Sequence, residues 1–379
     1  MPRRPKVIVA IGRNRRILDG IIRYVHEHGW WDFHFVELGR STADMIQAAR
    51  EWPADGLITF LGPDRLRPLR AVWRGPIAAV TYHNGSVRSR LVRIMVDENM
   101  VGQLVARHLL DRGLRQFAFC GQEPNLCFQH RWRAYSKALG TAGRDCRRLW
   151  VPITATWVRR QAVISRWLAA LPRPTGVMCS DDLTARDVLY CCERLGLRVP
   201  DEIAVVGVDN DPACDLCPIP LSSVDTNAVT MGYQAAAGLD AMMAGKRRPD
   251  SVLIVPPVGV VVRASSDTVA VKDPAVRRAV AYIRAHANDR IVVPDMLREV
   301  LLSRRTLERK FRQAVGHTIK AEIMLAGLER AKDLLTQTDL KVPLVATRSG
   351  FPRPSSFYSL FRREVRMTPT QYRASTRKG

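Results

Sequence analysis

The sequence of 379 residues lacks any apolar run of the roughly 18 residues that a membrane-spanning helix needs. The longest candidate, Val252–Val262, is short and is interrupted by two prolines and a glycine. Only the short apolar run Val7–Ile11 follows the basic amino terminus, which is less than the roughly 7–15 apolar residues of a secretory signal peptide. We therefore expect a cytoplasmic protein with no membrane partner.

The sequence also lacks the common catalytic and metal-binding motifs. It has no glycine-rich phosphate loop, no Gly-x-Ser-x-Gly elbow and no His-Glu-x-x-His motif. Of its 8 cysteines, only Cys214 and Cys217 have a Cys-x-x-Cys spacing, and no second pair completes a zinc site. We expect no enzyme activity, no cofactor and no metal, and we expect most cysteines to be small buried side chains.

Acidic residues are scarce: the sequence has 36 Asp and Glu but 59 Lys and Arg, which gives a formal net charge of +23. Such a charge predicts a polyanionic partner, although it does not distinguish DNA, RNA and an acidic membrane surface. The excess is uneven: Lys272–Gly379 carries a net +13 in 108 residues, and the other 271 residues carry +10. The +10 has two interpretations, an arginine-rich surface or nonspecific affinity for DNA.

Short apolar strands alternate with longer helical patterns over residues 5–265, which is typical of parallel sheets in α/β folds. One doubly wound sheet needs fewer residues, so we predict two α/β lobes with a cleft between them. Residues 266–274 are predicted to be a linker. From 275 to 379 the pattern is helical, apart from the short Ile291–Val293, and it predicts an all-α domain.

The C-terminal domain contains two helix-turn-helix patterns. In Pro294–Gln313, Leu307 and Phe311 are spaced to face the core; in Val342–Arg363, Gly350 suits a left-handed turn. The alternative is a bundle of basic surface helices that does not bind DNA. The residues predicted to contact DNA are Ser303, Arg304, Arg305, Glu308, Arg309 and Arg312 in the first motif, and Arg353, Ser355, Ser356, Tyr358, Ser359 and Arg362 in the second.

The C-terminal domain contains, in this order, Ser303-Arg304-Arg305-x-Leu307-x-Arg309-x-Phe311, Ser349-Gly350-Phe351, Ser356-Phe357, Phe361-Arg362-Arg363 and Thr368-Pro369-x-x-Tyr372-Arg373. With these motifs it resembles the AraC/XylS family of transcription regulators over about 100 residues.

The resemblance implies double-stranded DNA and RNA polymerase as partners. We expect a homodimer, because the DNA half-sites of helix-turn-helix proteins usually mirror a two-fold or tandem pairing of the protein. Two departures stand out. Leu301 occupies a turn position where the family usually has glycine, and Pro343 and Pro352-Arg353-Pro354 flank the helices of the second motif. The second motif is therefore expected to bind DNA less tightly or differently.

A second resemblance covers roughly residues 5–265. Val96-Asp97-x-x-x-x-Gly102, Arg131-x-x-x-Tyr135, Ser180–Ala185, Val206–Asn210 and Pro220–Val224 occur in the order seen in LacI/GalR-type repressors. That family's ligand-binding core is related to periplasmic sugar-binding proteins. The resemblance implies a periplasmic-binding-protein-like core with a small sugar effector. The combination of such a core with an AraC-type DNA-binding domain resembles regulators of pentose use, and it implies a pentose such as D-xylose as the effector and activation of a sugar-catabolic operon.

By this resemblance Arg131, Asp181 and Asp209 contact the sugar, with Asn14 and Arg16 as weaker candidates. Planar polar groups suit a polyol because each takes several hydroxyl hydrogen bonds.

Two questions about this site stay open in the sequence. Asp182 either contacts the sugar or caps the helix that begins near Leu183, and the sequence favours neither role. Trp150 or Trp157 would stack on the sugar ring, and either is as easily a core residue.

The sequence thus predicts a sugar-responsive transcription regulator in which the closing lobes re-aim the DNA-binding domains. The alternatives are a sugar-metabolising enzyme with a basic helical appendix, and a sugar-binding transport receptor. The missing catalytic motifs count against the enzyme, and the missing signal sequence counts against the receptor.

Overall fold

The computed structural model describes residues 3–12, 15–36, 43–61, 63–81, 91–123, 126–246, 251–267, 273–286, 291, 293–351, 353–365 and 367–377. Its chain divides into two compact units, Met1–Leu109 with Arg115–Asp267, and Leu110–Leu114 with Thr268–Gly379. No helix in the described ranges is long and apolar enough to cross a membrane.

The strands are β1 (Lys6–Ala10), β2 (Asp32–Phe35), β3 (Gly56–Thr59), β4 (Ile77–Val80), β5 (Leu91–Val96), β6 (Gln116–Gln122), β7 (Cys146–Val151), β8 (Thr175–Cys179), β9 (Ile203–Val208), β10 (Ser222–Asp225), β11 (Ser251–Val255) and β12 (Gly259–Val261). The helices are α1 (Arg15–His28), α2 (Ala43–Glu51), α3 (Pro63–Val72), α4 (Glu98–Asp111), α5 (Leu126–Thr141), α6 (Trp157–Ala169), α7 (Asp182–Arg194), α8 (Ala228–Met243), α9 (Pro274–Ala285), α10 (Val293–Val300), α11 (Arg304–Val315), α12 (Ile319–Gln337), α13 (Val342–Arg348), α14 (Pro354–Val365) and α15 (Pro369–Arg377).

The first lobe of the larger unit is a parallel sheet in the order β11-β5-β4-β3-β1-β2. Apolar side chains of α2 and α3, such as Met45 and Leu66, pack with Ile8 of β1 in one core cluster. Helices α1 and α8 pack together so closely that a Cβ on Gly232 would lie 1.9 Å from the carbonyl oxygen of Ile17. Only glycine permits this approach.

The second lobe is a sheet in the order β12-β10-β9-β8-β6-β7, parallel except for β12. Strand residues such as Val177 and Val205 pack with Ile164 of α6 and Val188 of α7 in one core cluster. The continuous apolar strands match the pattern expected of a sheet covered on both faces.

The chain crosses between the two lobes three times, after β5, after β10 and between β11 and β12. The crossings lie side by side, because the amide of Asp97 donates to the carbonyl of Val255 at 3.1 Å and that of Val258 donates to Asp225 at 2.8 Å. The three crossings follow the carboxyl ends of β5, β10 and β11. The loops that end the strands of both sheets therefore lie at the junction of the lobes, where ligands of α/β sheets bind.

The predicted two-lobed α/β core is confirmed, but α3, β7 and β10 were not predicted. Strand β7 lies at the edge of its sheet, and its Arg147 and Arg148 are exposed, so it lacks the apolar alternation of a half-buried strand. The short strand signal at Ile291–Val293 is also wrong, because Val293 begins helix α10. Position 292 lies outside the described residues.

The smaller unit is helical, as predicted, and has two core clusters. Val276 of α9 packs with Met296 of α10 and Phe311 of α11 in the first. The second joins side chains of α12, α13 and α14, including Phe357. A Cβ on Gly327 of α12 would lie 2.4 Å from the carbonyl oxygen at position 349, so this glycine lets the end of α13 approach.

Candidate effector and DNA-binding sites

The turn after β9 carries an unusual pair of polar residues. Asp209 and Asn210 have φ values of 107° and 50°, in the left-handed region that L-residues rarely adopt. The Asp209 side chain is 27% exposed, and its Oδ1 is buried with no hydrogen-bond partner among the described residues. A buried acceptor without a partner is costly, so this atom is suited to receive a ligand hydroxyl.

Arg131 of α5 lies beside Asp209 and is completely buried. Its Nε and Nη2 donate to Glu98 at 2.5 and 3.2 Å, and its Nη1 donates to the carbonyl oxygen of Ser180 at 2.5 Å. Its Nη2 also lies 3.6 Å from Asp209 Oδ1. Glu98 at the start of α4 therefore orients the guanidinium, so that one edge of it remains beside Asp209.

Burial raises the pKa of Asp209 to about 8, and the nearby guanidinium of Arg131 opposes this rise. The carboxylates of Asp182, Asp181 and Glu98 raise the pKa further. The turn therefore holds a carboxyl group whose charged form gains from a new hydrogen-bond donor.

The two aspartates at the start of α7 have roles in the structure that differ from those expected from the sequence. Asp181, not Asp182, is the N-cap, and its Oδ1 accepts a 2.6 Å bond from the amide of Thr184. Asp182 is instead buried and accepts from Ser223 Oγ at 2.6 Å and from the amide of Asp211 at 2.8 Å. The capping alternative for Asp182 is wrong, because the helix begins one residue earlier than the sequence suggested.

Burial raises the pKa of Asp182 to about 6, although the hydrogen bonds from Ser223 and Asp211 lower it. A Cβ on Gly207 would lie 2.1 Å from Asp182 Oδ1, so only glycine leaves room for this carboxylate below the turn. Asp182 thereby anchors the segment that carries Asp209.

A second polar cluster joins the two lobes. Arg16 of α1, in the first lobe, donates through Nη2 to Asp225 Oδ2 at 2.8 Å, at the end of β10. Asn210 donates to the same oxygen at 3.2 Å, and Arg263 donates to Asn210 Oδ1 at 3.0 Å. Arg16 Nη1 is buried and has no hydrogen-bond partner within the described part of the chain. Asn14, the other candidate near this position, lies outside the described residues.

The two tryptophans differ in their surroundings. Trp150 is half-buried near the carboxyl end of β7, and its ring packs against that of Phe119 at 5.3 Å. Trp157 is 52% exposed and packs on Tyr190, which lies two turns or about 12 Å along α7 from its cleft end. Of the two, Trp150 is the residue that lies in a strand, next to the strand's carboxyl end.

The six predicted DNA-contacting residues of the first helix-turn-helix are all exposed on α11 or at its cap. Ser303 is the N-cap and accepts from the amide of Thr306 at 3.3 Å. Arg304 donates to Glu308 at 2.9 Å, whereas Arg305 forms no ion pair with any described residue. Leu307 and Phe311 are buried on the opposite face, as expected of a helix with one free surface.

The turn before α11 shows how the departure from the family is accommodated. Leu301 has φ +55° and is 82% exposed, so a leucine adopts the left-handed conformation that glycine would adopt more easily.

In the second motif, Gly350 adopts the expected left-handed conformation, with φ +79°. Pro343 and Pro354 lie in the first turns of α13 and α14, where a proline is tolerated because its missing N–H has no helical partner. Pro352 lies outside the described residues. The predicted DNA-contacting residues Arg353, Ser355, Tyr358, Ser359 and Arg362 are exposed, and Ser356 is half-buried.

Models of two domain families match separate parts of this chain. A periplasmic binding protein-like domain matches residues 106–266, and a helix-turn-helix domain matches residues 296–375. The xylose operon regulatory protein of Escherichia coli (strain K12) is 32% identical over 371 residues, which cover 95% of this chain and 93% of that protein. Its counterpart from Haemophilus influenzae is 29% identical and covers 95% of each chain.

This chain belongs to the family of xylose operon regulatory proteins. The solved structure of the xylose-binding transcription activator xylR is similar over 99% of both chains, with 30% identity and a TM-score of 0.61. A cellobiose complex of the transcriptional regulator CelR has a TM-score of 0.59 over 70% of this chain at 21% identity, which shows the fold of the core. The predicted AraC-type regulator with a LacI-like core is confirmed, and the enzyme and transport-receptor alternatives are set aside.

Three residues of the regulator's candidate effector site were not predicted. Glu98 directly follows the Val96-Asp97 motif, and Asn210 follows Asp209, so both were adjacent to residues that the sequence had indicated. Asp225 ends the strand that begins with Ser222-Ser223, and its position at a strand end was the available signal. Their importance depends on contacts between elements that are far apart in the sequence.

Proposed function

We propose that this regulator takes a neutral pentose, D-xylose above others, as its effector. The observation that carries this proposal is a pair of buried atoms at the lobe junction, the acceptor Asp209 Oδ1 and the donor Arg16 Nη1, which have no hydrogen-bond partner among the described residues. A polyol hydroxyl both donates and accepts, so one sugar can satisfy both groups. The relatives named for xylose, and the solved structure described as xylose-binding, give the pentose its priority.

The charge of the site favours a neutral ligand over a phosphorylated one. Its carboxyl groups outnumber its guanidinium groups, because Arg131 and Arg16 are each paired with an acidic side chain and further acids lie nearby. A phosphate group would therefore find no guanidinium among the described side chains of the site that is not already paired with an acid. The site residues in this proposal are Arg131, Asp181, Asp209, Asn14 and Arg16, with Trp150 against the sugar ring.

The proposed mechanism uses the three crossings between the lobes as the hinge. A sugar that binds the closed arrangement more tightly shifts the population of the core toward it. The core then changes a contact in a homodimer and re-aims two C-terminal domains on operator half-sites. Recruitment of RNA polymerase would activate a sugar-catabolic operon in the cytoplasm.

A thermal-shift screen tests the effector. D-xylose, L-arabinose, D-ribose and D-xylose 5-phosphate are added to the full chain, and a ligand at about 100 times its Kd adds about 2.7 kcal/mol of stability. We expect D-xylose to raise the melting temperature most and the phosphate ester to raise it least. The absence of any shift with all three neutral pentoses would overturn the proposal.

A gel shift tests the DNA half of the proposal independently. The probe is the promoter of the pentose-catabolic operon of the source organism, with and without the sugar that stabilises the core. We expect a specific band whose affinity falls steeply with salt. No specific band under either condition would contradict a role in regulating that operon.

A further inference from the structure

The second lobe contains a stretch of strongly biased charge. Residues 124–180 include 10 Lys and Arg but only one acidic residue, Asp145. Their net charge of +9 accounts for nearly all of the +10 that the first 271 residues carry. The excess on the core is therefore concentrated in one region and does not decorate its whole surface evenly.

The centre of this region is β7, the edge strand of the second sheet. Arg147 and Arg148 are both exposed and point to opposite faces of the strand, because successive strand residues alternate. On one face the guanidinium of Arg148 lies 5.4 Å from the ring of Trp132 in α5. On the other, Arg147 donates to the carbonyl oxygen of Ala170 after α6 at 3.1 Å. The two arginines thus connect the edge with the helices beside it.

Those helices extend the charge on both sides of the edge. Arg133 and Lys137 are exposed one turn apart on α5, and Arg159 and Arg166 are exposed two turns apart on α6. None of the four forms an ion pair with a described residue. Two other arginines of the region, Arg160 and Arg173, are neutralised by Asp187 and Glu202. The basic edge is defined here as Arg133, Lys137, Arg147, Arg148, Arg159 and Arg166.

We propose that the basic edge binds the phosphate backbone of duplex DNA that flanks the operator. Arginine is well suited to this partner, because its planar donors match phosphate oxygens. The helix-turn-helix domain holds the same duplex and belongs to the same chain, which raises the effective concentration of flanking DNA near the core. An acidic protein surface is the other class of partner that such a face would fit, and the experiment below separates the two.

The test compares two operator duplexes bound by the full-length regulator. One duplex ends at the footprint of the DNA-binding domains, and the other carries about four helical turns, roughly 40 base pairs, of arbitrary sequence on each side. Binding is measured by fluorescence anisotropy between 50 and 200 mM salt. The variants are Arg159→Ala/Arg166→Ala and Arg133→Ala/Lys137→Ala, which remove charge from either side of the edge without exposing a core residue.

Each lost phosphate contact should reduce the slope of log affinity against log salt by about 0.9. On the long duplex, at least one double variant is expected to lower the slope by about 1.8, so its affinity falls about 12-fold less over this salt range than that of the parent. On the short duplex the slopes should be equal. The matched control is Arg67→Ala/Arg74→Ala, two exposed arginines of the first lobe with no ion pair among the described residues. It should leave both slopes unchanged.

Equal slopes for the parent and both double variants on the long duplex would overturn the proposal. An acidic protein would then be the partner that fits the basic edge. A change of the same size in the control would also overturn it, since it would show a general effect of net charge. Specific binding to the short duplex reports the DNA half of the proposed function separately. Stabilisation by the effector sugar reports whether each variant is folded.

Discussion

Replacement of Asp209 by asparagine should weaken sugar binding while it stabilises the empty core at high pH. Asparagine keeps the shape of the side chain and an acceptor oxygen, but it removes the charge. In the empty site, Oδ1 of Asp209 is buried without a hydrogen-bond partner among the described residues, and Arg131 Nη2 lies 3.6 Å away. The two effects have opposite signs, so a general loss of structure would not imitate them.

The first effect follows from the strength of hydrogen bonds. Near pH 8 and above, where the carboxyl group of Asp209 is charged, a hydrogen bond to it contributes about 1.5–3 kcal/mol, whereas one to a neutral acceptor contributes about 1 kcal/mol. We therefore take the loss in Asp209→Asn at this pH as about 1.4 kcal/mol, or tenfold in Kd. At a sugar concentration 100 times the parent Kd, the stabilisation by sugar should fall from about 2.7 to about 1.4 kcal/mol. At roughly 2–4 °C per kcal/mol, the thermal shift should be about halved.

The second effect follows from the raised pKa of Asp209. Burial raises this pKa from 3.8 to about 8, so between about pH 4 and pH 8 the folded state binds more protons than the unfolded state. The stability of the parent therefore falls as the pH rises through this window. Asp209→Asn lacks this dependence, so without sugar it should melt above the parent at pH 8 and less so at pH 5.

Differential scanning fluorimetry at pH 5 and pH 8, with and without D-xylose, measures both effects. The control is Asp201→Asn, which makes the same substitution in the exposed turn before β9. A variant at position 209 with unchanged sugar affinity would refute the proposed role of the carboxylate. An unchanged pH dependence would refute the raised pKa.

Three further predictions concern other parts of the chain. Arg305→Ala should cost about 1–3 kcal/mol in specific DNA affinity. Arg304→Ala should cost less, because that side chain is already paired with Glu308 in the same helix. Equal losses of affinity for the two variants, measured by fluorescence anisotropy, would contradict this prediction. Leu301→Gly should stabilise the C-terminal unit by about 0.5–1 kcal/mol, because relief of the left-handed leucine exceeds the entropic cost of glycine. Calorimetry of the full chain would refute this by showing a lower transition. Arg16→Ala should weaken sugar binding in isothermal titration, since it removes the link from α1 to Asp225, and unchanged affinity would exclude Arg16 from the site.

The elements of the fold could be predicted where the local pattern determines them. The sequence pattern predicts helices over Ala43–Glu51, Arg304–Val315 and Val342–Arg348, and α2, α11 and α13 have these bounds. Each has a clear apolar face or a clear start and end. Strand β7 could not be predicted in this way, since its position at an edge leaves Arg147 and Arg148 exposed. Strand β7 forms because it pairs with β6, and the sequence of β7 by itself does not indicate that pairing.

The candidate site was predictable only in part for a related reason. Arg131, Asp181 and Asp209 follow recognisable motifs, but Glu98 and Asp225 matter only through partners that are 33 and 209 residues away. The difference between the expected and the observed capping residue of α7 has another cause. A shift of one residue in the start of α7 decides which carboxylate caps the helix and which is buried below the turn.

Two residues of the candidate site lie next to the proposed hinge, which would give a bound sugar direct access to the conformational equilibrium. Glu98 is ion-paired with Arg131 and directly follows the crossing at Asp97. Asp225 is ion-paired with Arg16 and ends β10, directly before the second crossing. A shift from 1:99 to 99:1 in favour of a closed core requires about 5.5 kcal/mol of differential binding. Charged hydrogen bonds contribute about 1.5–3 kcal/mol each, so two or three that form only in the closed arrangement are sufficient. Sugar contacts to Arg16, Arg131 and Asp209 would supply that number, and all three side chains lie within the segments that the hinge must move.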